Sequence, residues 1–398
     1  MKELIYLNKN ALSPAGGPLG VGYYIYNEAK KHNDKEICFL DIDREKLAKE
    51  TKQKKILYNF KHLTKIVRTI RHILKYNKVF KPKDTMSDTF KKYDIIHFHS
   101  TIDMYEQRES LKKFKGITIL TSHSPVPLSQ ELKDACSTNI EKLYFKIHSK
   151  DFEEMDKWCF ENANYIIFPC PDAEEPYSNN WPAYKEIKKR RQAYYKYVAT
   201  GISERIAQKD KSCIRKQYGI GDKDFLISYA GRHNKVKGYD LLKDIAKKLL
   251  ANERGKIKFI IAGRKGNIEP LDDESWREIG FTKDPYSIIA ASDIFILPNR
   301  ETYFDLAMIE ALSLGKIVVT SRTGGNKYYE KHKLPGVFLY DTIDEAVDLI
   351  EKIKNMKKND IKELEKQNRK FYEKHLTSDS FYKSYKKVIN EIYLENKR

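Results

Sequence analysis

The sequence predicts an α/β protein with two parallel sheets, each covered by helices. Short apolar runs of strand length alternate with longer runs of helical spacing from one end of the chain to the other. The alternation starts again after a hinge-like segment at Gly201, which indicates a second domain. Polar residues directly follow several predicted strands, and open parallel sheets bind ligands at that edge. A length of 398 residues suits two domains of this kind.

Each half of the chain supplies its own set of strands. The predicted strands are 4–7, 37–40, 95–99, 117–122, 165–169 and 197–200 in the first half, and 225–230, 259–262, 294–297, 317–320 and 337–340 in the second. We therefore expect a Rossmann-like N-terminal domain at 1–201 and a second Rossmann-like domain at 202–377. Residues 378–398 have helical spacing and predict a C-terminal helix that packs back toward the N-terminal domain.

Composition narrows the class of protein. The five cysteines are scattered and never form a Cys-x-x-Cys pair, so we expect reduced thiols and no zinc site. No apolar run approaches the roughly 20 residues that cross a bilayer. The N-terminus reads as a first strand and lacks the pattern of a secretory signal. These observations predict a cytoplasmic location.

The formal net charge of +19 is concentrated in a basic segment at 52–83. Apolar residues recur there at helical spacing, so one apolar face lies against a basic one. A helix packed on the core with a solvated back is one interpretation, and docking on anionic lipid headgroups at the inner membrane face is the other. Specific nucleic-acid binding is disfavoured because no aromatic stripe, finger or helix-turn-helix pattern accompanies the charge.

Cations follow the first two strands of the second domain. Gly231 ends one strand and precedes Arg232 and Lys237, while Gly263 ends the next and precedes Arg264. An arginine fork and a lysine point charge at this edge are suited to a diphosphate. The alternative is a solvated basic loop.

A third strand of this domain ends in the segment 299–310. A helix is expected to open near Phe304, to carry Glu310 on its inner turn and to end at Gly315. Acids and amides are thereby gathered at the carboxyl edge of the sheet, and we expect the chemistry of the protein to occur there.

The first domain offers weaker signals. Gly16 and Gly17 lie in a glycine-rich loop before the first helix, where backbone amides bind phosphate. The loop lacks the Gly-x-Gly-x-x-Gly order, which disfavours a nicotinamide oxidoreductase. Asp41 and Asp43 form a possible metal pair, but adjacent basic residues favour a solvated surface. No cofactor or metal is expected.

Three histidines end neighbouring strands of this domain. His97 alternates with apolar residues and is predicted to pack in the core, whereas His99 and His123 are expected at the ligand-binding edge. Tyr105 and Arg108 follow the third strand and either contact an acceptor or form a solvent-facing helix start.

Taken together, these segments resemble the retaining glycosyltransferases of the GT-B fold, family 4, along the whole chain. The resemblance rests on the glycine loop at 16–17, the strand end at His123, the Gly231-Arg232 and Lys237-Gly238 pairs, the segment 281–299 that leads into the acidic helix, and Gly324-Gly325-Asn326. It implies two Rossmann-like domains facing across a cleft. It also implies a metal-independent transferase that moves a sugar from a nucleotide-sugar. UDP is the expected nucleotide of that donor.

The resemblance assigns roles to individual positions. Arg232 and Lys237 would neutralise the donor diphosphate, with Arg264 as a further cation, and Glu310 would hold the ribose hydroxyls. His123 would face the transferred sugar or the acceptor. Further donor contacts would come from Gly17, Phe281, Thr282, Phe304, Asp305 and Leu306.

One departure from the family pattern concerns its first glutamate. Thr302 occupies the expected position, Glu301 lies one residue early, and Asp305 stands where glycine is common. Either Glu301 still reaches the sugar or Thr302 makes that contact.

We therefore expect a retaining hexosyltransferase of surface polysaccharide biosynthesis, acting on a glycan or lipid-linked acceptor. The leaving phosphate itself would take the proton of the acceptor, in a front-face reaction. A nucleotide-sugar 2-epimerase of the same fold and a non-catalytic nucleotide-sugar binding protein are the alternatives.

Overall fold

A computed structural model describes residues 1–7, 12–14, 17–40, 61–124, 126–136, 138–252, 255–266 and 268–397, with the backbone alone for 61–66. It contains two six-stranded sheets whose paired strands are all parallel, with helices between most successive strands. This architecture confirms the predicted α/β class.

The first sheet has the order β2-β1-β3-β4-β5-β6. Its strands are β1 (Glu3–Tyr6), β2 (Ile37–Phe39), β3 (Ile95–Phe98), β4 (Ile117–Leu120), β5 (Tyr165–Phe168) and β6 (Tyr195–Tyr197). The second sheet has the order β12-β11-β10-β7-β8-β9. Its strands are β7 (Phe225–Ala230), β8 (Ile257–Ala262), β9 (Trp276–Gly280), β10 (Ile294–Leu297), β11 (Ile317–Ser321) and β12 (Val337–Tyr340).

Helices connect the strands. In chain order they are α1 (Gly17–Lys31), α2 (Lys61–Phe80), α3 (Ser87–Phe90), α4 (Thr101–Glu106), α5 (Arg108–Leu111), α6 (Leu128–Asp134), α7 (Asn139–Ile147), α8 (Ser149–Asn162), α9 (Glu175–Asn180), α10 (Pro182–Arg191), α11 (Lys211–Gln217), α12 (Tyr239–Asn252), α13 (Pro285–Ala291), α14 (Leu306–Ser313), α15 (Lys327–Lys331), α16 (Ile343–Lys354), α17 (Lys358–His375) and α18 (Ser378–Glu395). None of the described helices is both long and apolar enough to span a membrane.

Central strands are buried on both faces, which explains why their sequences are almost continuously apolar. In β7, Ile227 packs into a cluster with helices α12 and α16, and the adjacent Leu226 packs on the opposite face against Ile288 of α13. In β10 each of the four side chains is at most 1% exposed. The strand order and the carboxyl edges are therefore fixed by apolar packing on two sides.

The chain divides into two compact units. One comprises Met1–Pro169, Tyr177–Ala199 and Tyr382–Arg398 and contains the first sheet; the other comprises Cys170–Pro176 and Thr200–Phe381 and contains the second sheet. The domain boundaries expected from the sequence stay predictions.

Three elements differ from the sequence prediction. β6 covers Tyr195–Tyr197 rather than 197–200, β9 was not predicted, and α14 begins at Leu306 rather than near Phe304. Both strands lie at sheet edges, where solvent exposure removes the continuous apolar pattern. α14 starts late because the Asp305 side chain accepts a hydrogen bond from the amide of Ala307 and acts as the N-cap.

Candidate functional site

The order of the second sheet places two loops side by side at its carboxyl edge. β7 lies next to both β8 and β10, and the chain leaves β7 toward β8 while β10 continues toward β11 in the opposite direction. Such a reversal opens a crevice at the carboxyl ends of the two central strands. The crevice edge is formed by the loop after β7, which carries Arg232 and Lys237, and the loop after β10, which leads to Asp305.

Glycines allow these loops to touch through their backbones. A Cβ on Gly238, at φ +64°, would lie 1.6 Å from the carbonyl oxygen of Pro298. A Cβ on Gly263 would lie 1.7 Å from the Gly231 oxygen, and one on Gly324 would lie 2.1 Å from the Thr302 oxygen. At these three glycines the loops after β7, β8, β10 and β11 are therefore packed too closely to admit a side chain.

Lys237 and Asp305 are paired across the crevice edge. The Lys237 Nζ lies 2.6 Å from Asp305 Oδ2, which also accepts a 2.7 Å hydrogen bond from the Asn299 side chain. Burial raises the pKa of Asp305, but the Lys237 charge and these hydrogen bonds outweigh burial, so the pKa is lowered. Asp305 is thus an ionised anchor that fixes Lys237 and caps α14.

Arg232 is an exposed cation of this edge. Its guanidinium is not paired with any residue that the structure describes, while its carbonyl oxygen accepts a 2.9 Å hydrogen bond from the Tyr229 hydroxyl. An anchored backbone with an unengaged guanidinium is suited to receive an anionic ligand.

Glu310 lies on the second turn of α14 and is held by two residues that the sequence analysis did not identify. Its Oε1 accepts a 3.1 Å hydrogen bond from the Tyr286 hydroxyl and lies 3.0 Å from Arg205 Nη2. Burial raises the pKa of Glu310 against the opposing effect of Arg205. Arg205 belongs to the hinge-like segment and Tyr286 to α13, so no local pattern marks either of them.

Arg264 and Phe281 form a pair at the ends of β8 and β9. The Arg264 guanidinium carbon lies 5.4 Å from the centre of the Phe281 ring, and that ring is 65% exposed. The loops that carry them are joined by a 2.9 Å hydrogen bond from the Gly263 amide to the Gly280 oxygen. Thr282 accepts a hydrogen bond from the Asp284 amide at the start of α13. An exposed ring beside a cation could stack on a planar ligand group.

The other predicted donor contacts precede α14. Thr302 is buried and Glu301 is partly exposed. Phe304 packs with ring-centre distances of 5.3 Å to Tyr328 and 6.0 Å to Tyr329. Leu306 is the first residue of α14. The choice between Glu301 and Thr302 stays open.

His233 is a buried residue of this edge that the sequence analysis did not single out. Its ring stacks on Tyr239 with centres 4.3 Å apart, and its Nδ1 lies 3.4 Å from Glu278 Oε2. Burial lowers the pKa of His233, and the Glu278 charge opposes that shift. Its Nε2 has no hydrogen-bond partner among the described residues. Its position directly after Arg232 was the available signal.

The first unit brings the three predicted histidines together. His99 Nδ1 lies 2.8 Å from His123 Nε2, and the His97 and His99 rings stack with centres 4.3 Å apart. His97 is buried, and its nitrogens each lie 2.8 Å from a hydroxyl, those of Tyr385 and Thr121. Burial lowers the pKa of His123 to about 3 and the pKa of His99 well below its ordinary value. His99 and His123 are therefore a neutral, linked pair.

The predicted acceptor residues have local structural contacts. The Arg108 guanidinium donates hydrogen bonds to the carbonyl oxygens of Val79, Phe80 and Tyr105, and it lies 3.8 Å from the centre of the Tyr105 ring. Arg108 therefore caps the C-terminus of α2, and a role in acceptor binding stays a prediction.

Two predicted features of the first domain lie partly outside the described residues. Gly16, Asp41 and Asp43 are not described, whereas Gly17 is exposed at the start of α1 with φ +64°. A Cβ on Gly17 would meet no atom of the described residues within 4 Å.

The second unit matches a known family model. Residues 210–374 match the model for glycosyl transferases group 1. WclY of Escherichia coli, an O-antigen biosynthesis glycosyltransferase, is 27% identical over 207 residues, which cover 50% of this chain and 56% of WclY. An uncharacterised glycosyltransferase of Methanocaldococcus jannaschii is 26% identical over 159 residues, which cover 36% of this chain and 40% of that protein. These matches cover less than two thirds of either relative's length.

Solved structures resemble the chain over almost its full length. HepE of Anabaena, crystallised with UDP-glucose, has a TM-score of 0.62 at 14% identity, covering 98% of this chain and 100% of HepE. WaaG, a glycosyltransferase involved in lipopolysaccharide biosynthesis, has a TM-score of 0.56 at 12% identity, covering 96% and 98%. At such identities the likeness establishes the fold. The chain therefore has the GT-B fold, and its residues 210–374 are similar to the glycosyl transferases group 1 family.

Proposed function

We propose that this protein is a retaining glycosyltransferase of family 4 that moves a sugar from a nucleotide-sugar to a glycan or lipid-linked acceptor. The observation that carries the proposal is the pair of cations, Arg232 and Lys237, at the switch point of a group 1 domain. The UDP-glucose complex of HepE supports UDP as the donor base, and the name of WclY supports a surface polysaccharide as the product.

The proposed chemistry depends on charge that develops at the donor diphosphate. As the sugar leaves, it becomes oxocarbenium-like and negative charge grows on the phosphate oxygens. The Arg232 guanidinium offers a planar fork of hydrogen-bond donors. The Lys237 ammonium has three N–H groups and Asp305 engages one side of it, so N–H donors remain available for a phosphate. Fixed cations aimed at developing charge are commonly the largest source of rate enhancement.

The remaining donor contacts are assigned in the same way. Glu310, fixed by Arg205 and Tyr286, would accept hydrogen bonds from the ribose hydroxyls. The exposed Phe281 ring beside Arg264 would flank the base. In this scheme the departing phosphate accepts the acceptor's proton, so no carboxylate base is needed. His123 as the residue that faces the sugar stays a prediction.

We further propose that the enzyme needs no divalent metal, because side-chain cations would supply the charge that a metal otherwise provides. Transfer should then persist in EDTA, and a reaction that stops in EDTA and resumes with magnesium would contradict this point.

A panel of nucleotide-sugars tests donor binding. A ligand at 100 times its dissociation constant stabilises the native state by about 2.7 kcal/mol, which raises the melting temperature of a unit of this size by several degrees. We expect the sugars of one nucleotide among UDP, GDP and ADP to raise the melting temperature. Arg232→Ala should remove most of the shift, whereas Lys216→Ala, which removes an exposed lysine from α11, should retain it. Equal shifts in both variants would contradict the assigned site.

Lys237 requires a different variant. Lys237→Ala alone would leave the buried Asp305 carboxylate without its cation, at a cost of about 3 kcal/mol or more, so lost binding would be ambiguous. Lys237→Ala combined with Asp305→Asn removes both charges and isolates the contribution of the ammonium. NMR of the product then separates the alternatives: a retained anomeric configuration supports the proposal, isomerisation of the donor sugar indicates a 2-epimerase, and binding without turnover indicates a nucleotide-sugar binding protein.

We also propose that the enzyme is cytoplasmic and works at the inner membrane face, as the lipid-linked acceptor would require. The basic segment 52–83 motivated this location, and only its part from residue 61 onward lies in the described structure.

A further inference from the structure

We infer that the surface formed by helices α2 and α7 docks on an anionic lipid bilayer through an apolar seam flanked by cations. This inference deepens the peripheral location proposed above and rests on it. It adds α7, which lies outside the basic segment, and it assigns a direct role to apolar side chains.

The two helices are joined side by side. Thr69 and Thr138 share a 3.1 Å hydrogen bond through their hydroxyls, and the Tyr144 hydroxyl donates a 2.7 Å hydrogen bond to the Asn77 side chain. A capping box at Thr138 fixes the start of α7. The pair therefore presents one continuous surface rather than two independent helices.

Large apolar side chains point outward along this junction. On α2, Leu74 lies one turn before Asn77, and on α7, Ile140 and Ile147 lie one turn on either side of Tyr144, so these side chains flank the contact between the helices. The exposed apolar side chains are Ile70 at 51%, Leu74 at 63%, Ile140 at 61%, Leu143 at 59% and Ile147 at 68%. Contiguous exposed apolar groups on adjacent helices mark an interaction site.

Cations border the apolar seam on both helices. Exposed basic side chains that form no ion pair with a described residue are Arg68, Arg71 and Lys75 on α2 and Lys142 and Lys146 on α7. Each such cation is attracted to the negative surface potential of an anionic membrane. The combination of inserted apolar side chains and flanking cations is that of a helix lying in the membrane interface.

Charge selects the bilayer over a second copy of the chain. Two copies that met through this seam would bring their cationic borders together, and repulsion would oppose the contact. Anionic headgroups neutralise the same borders, and acyl chains receive the apolar groups. The docking inferred here is interfacial, and no described helix meets the requirements for spanning a membrane.

Vesicle sedimentation of the full chain tests this inference. We expect the protein to bind vesicles that contain about one third phosphatidylglycerol and to bind pure phosphatidylcholine vesicles only weakly. Added salt should weaken the binding to the phosphatidylglycerol vesicles. Leu74→Ser with Ile147→Ser should reduce binding about tenfold by removing two inserted side chains. Arg71→Gln with Lys75→Gln should remove much of the preference for anionic lipid. Leu394→Ser, which removes an exposed leucine of α18, should bind as the wild type does.

The outcomes are distinguishable from those of the donor experiment. An unchanged donor-induced melting shift in the Leu74→Ser, Ile147→Ser variant would show that the chain remains folded. Indifference of the wild type to lipid charge, or full binding by that variant, would overturn the inference even if the donor shift is present. A concentration-dependent dimer that the double variant abolishes would identify a second copy as the occupant instead. Vesicle binding without any donor shift would leave this surface intact and contradict the proposed transferase.

Discussion

Gly238→Ala is expected to destabilise the second unit by about 4 kcal/mol, the upper range for a single substitution. Gly238 has φ +64°, where a residue with a Cβ is strained, and the new methyl carbon would lie 1.6 Å from the Pro298 carbonyl oxygen. Because that neighbour is backbone, relief requires the loops after β7 and β10 to separate. The same movement would displace Lys237 from Asp305, so donor binding should weaken together with stability.

Gly219→Ala is the matched control in the same unit. Gly219 has φ +69°, but a Cβ there meets no atom within 4 Å in the part of the chain that the structure describes. Only the backbone strain of about 1 kcal/mol then remains. The melting temperature should fall by roughly 10 °C for Gly238→Ala and by only a few degrees for Gly219→Ala. Equal losses in the two variants would show that the loops can separate without cost and would contradict the packed crevice edge.

The carboxyl edge of the second sheet was predictable because its signals are local. β7 and β10 are buried on both faces, so their sequences are almost continuously apolar and the polar residues that follow them stand out. Gly231 and Gly263 marked the strand ends, and the cations after them were visible in the sequence. The fold class followed from the same alternation of strands and helices.

The pairing of side chains within the site was not predictable in the same way. Arg205 and Glu310 are separated by 105 positions, and Lys237 and Asp305 by 68, so no periodicity relates the partners of either pair. The sequence placed both members of the second pair at the correct edge, but only the packed loops show that Asp305 neutralises Lys237. β9 escaped prediction for a related reason: Arg277 and Glu278 interrupt its apolar pattern at the sheet edge.

The basic segment shows the limit of charge as a signal. Its helical periodicity correctly indicated a helix in the described part, α2. Which apolar positions face the core and which remain exposed depends on where α7 and α8 pack. Ile70 and Leu74 lie within the predicted apolar face and yet are exposed, which periodicity alone could not have distinguished.

Acidification is expected to destabilise the first unit through His99 and His123. Burial depresses the pKa of both imidazoles, that of His123 to about 3, whereas the unfolded chain takes up protons near pH 6.5. Because the folded-state pKa lies below the unfolded value, the contribution of the two neutral imidazoles to stability is fully present above about pH 7.5. This contribution is lost as the pH falls below about 6.5. Between about pH 7 and pH 5 the two histidines together should remove roughly 4 kcal/mol.

The buried carboxyl of Asp156 has the opposite effect on stability over the same pH range. Burial raises the pKa of Asp156 to about 6, so protonation of the folded state there stabilises it as the pH falls and offsets about 1 kcal/mol of the loss. The contribution of the two histidines to the pH dependence of stability is therefore best isolated by comparing the wild type with a variant that lacks both. In the variant His99→Asn with His123→Asn, the free energy of unfolding in urea should fall clearly less between pH 7 and about pH 5 than in the wild type.

The matched control for this measurement is His148→Asn, which removes a partly exposed imidazole that pairs with Asp151 on the surface of α8. A steep loss of stability that persists unchanged in the double variant would assign the pH dependence to other groups and contradict a neutral, linked pair. A reduced slope would instead support His99 and His123 as imidazoles that are neutral in the folded state and take up protons on unfolding. The 2.8 Å contact between His99 Nδ1 and His123 Nε2 would then hold the orientation of His123 before any sugar binds.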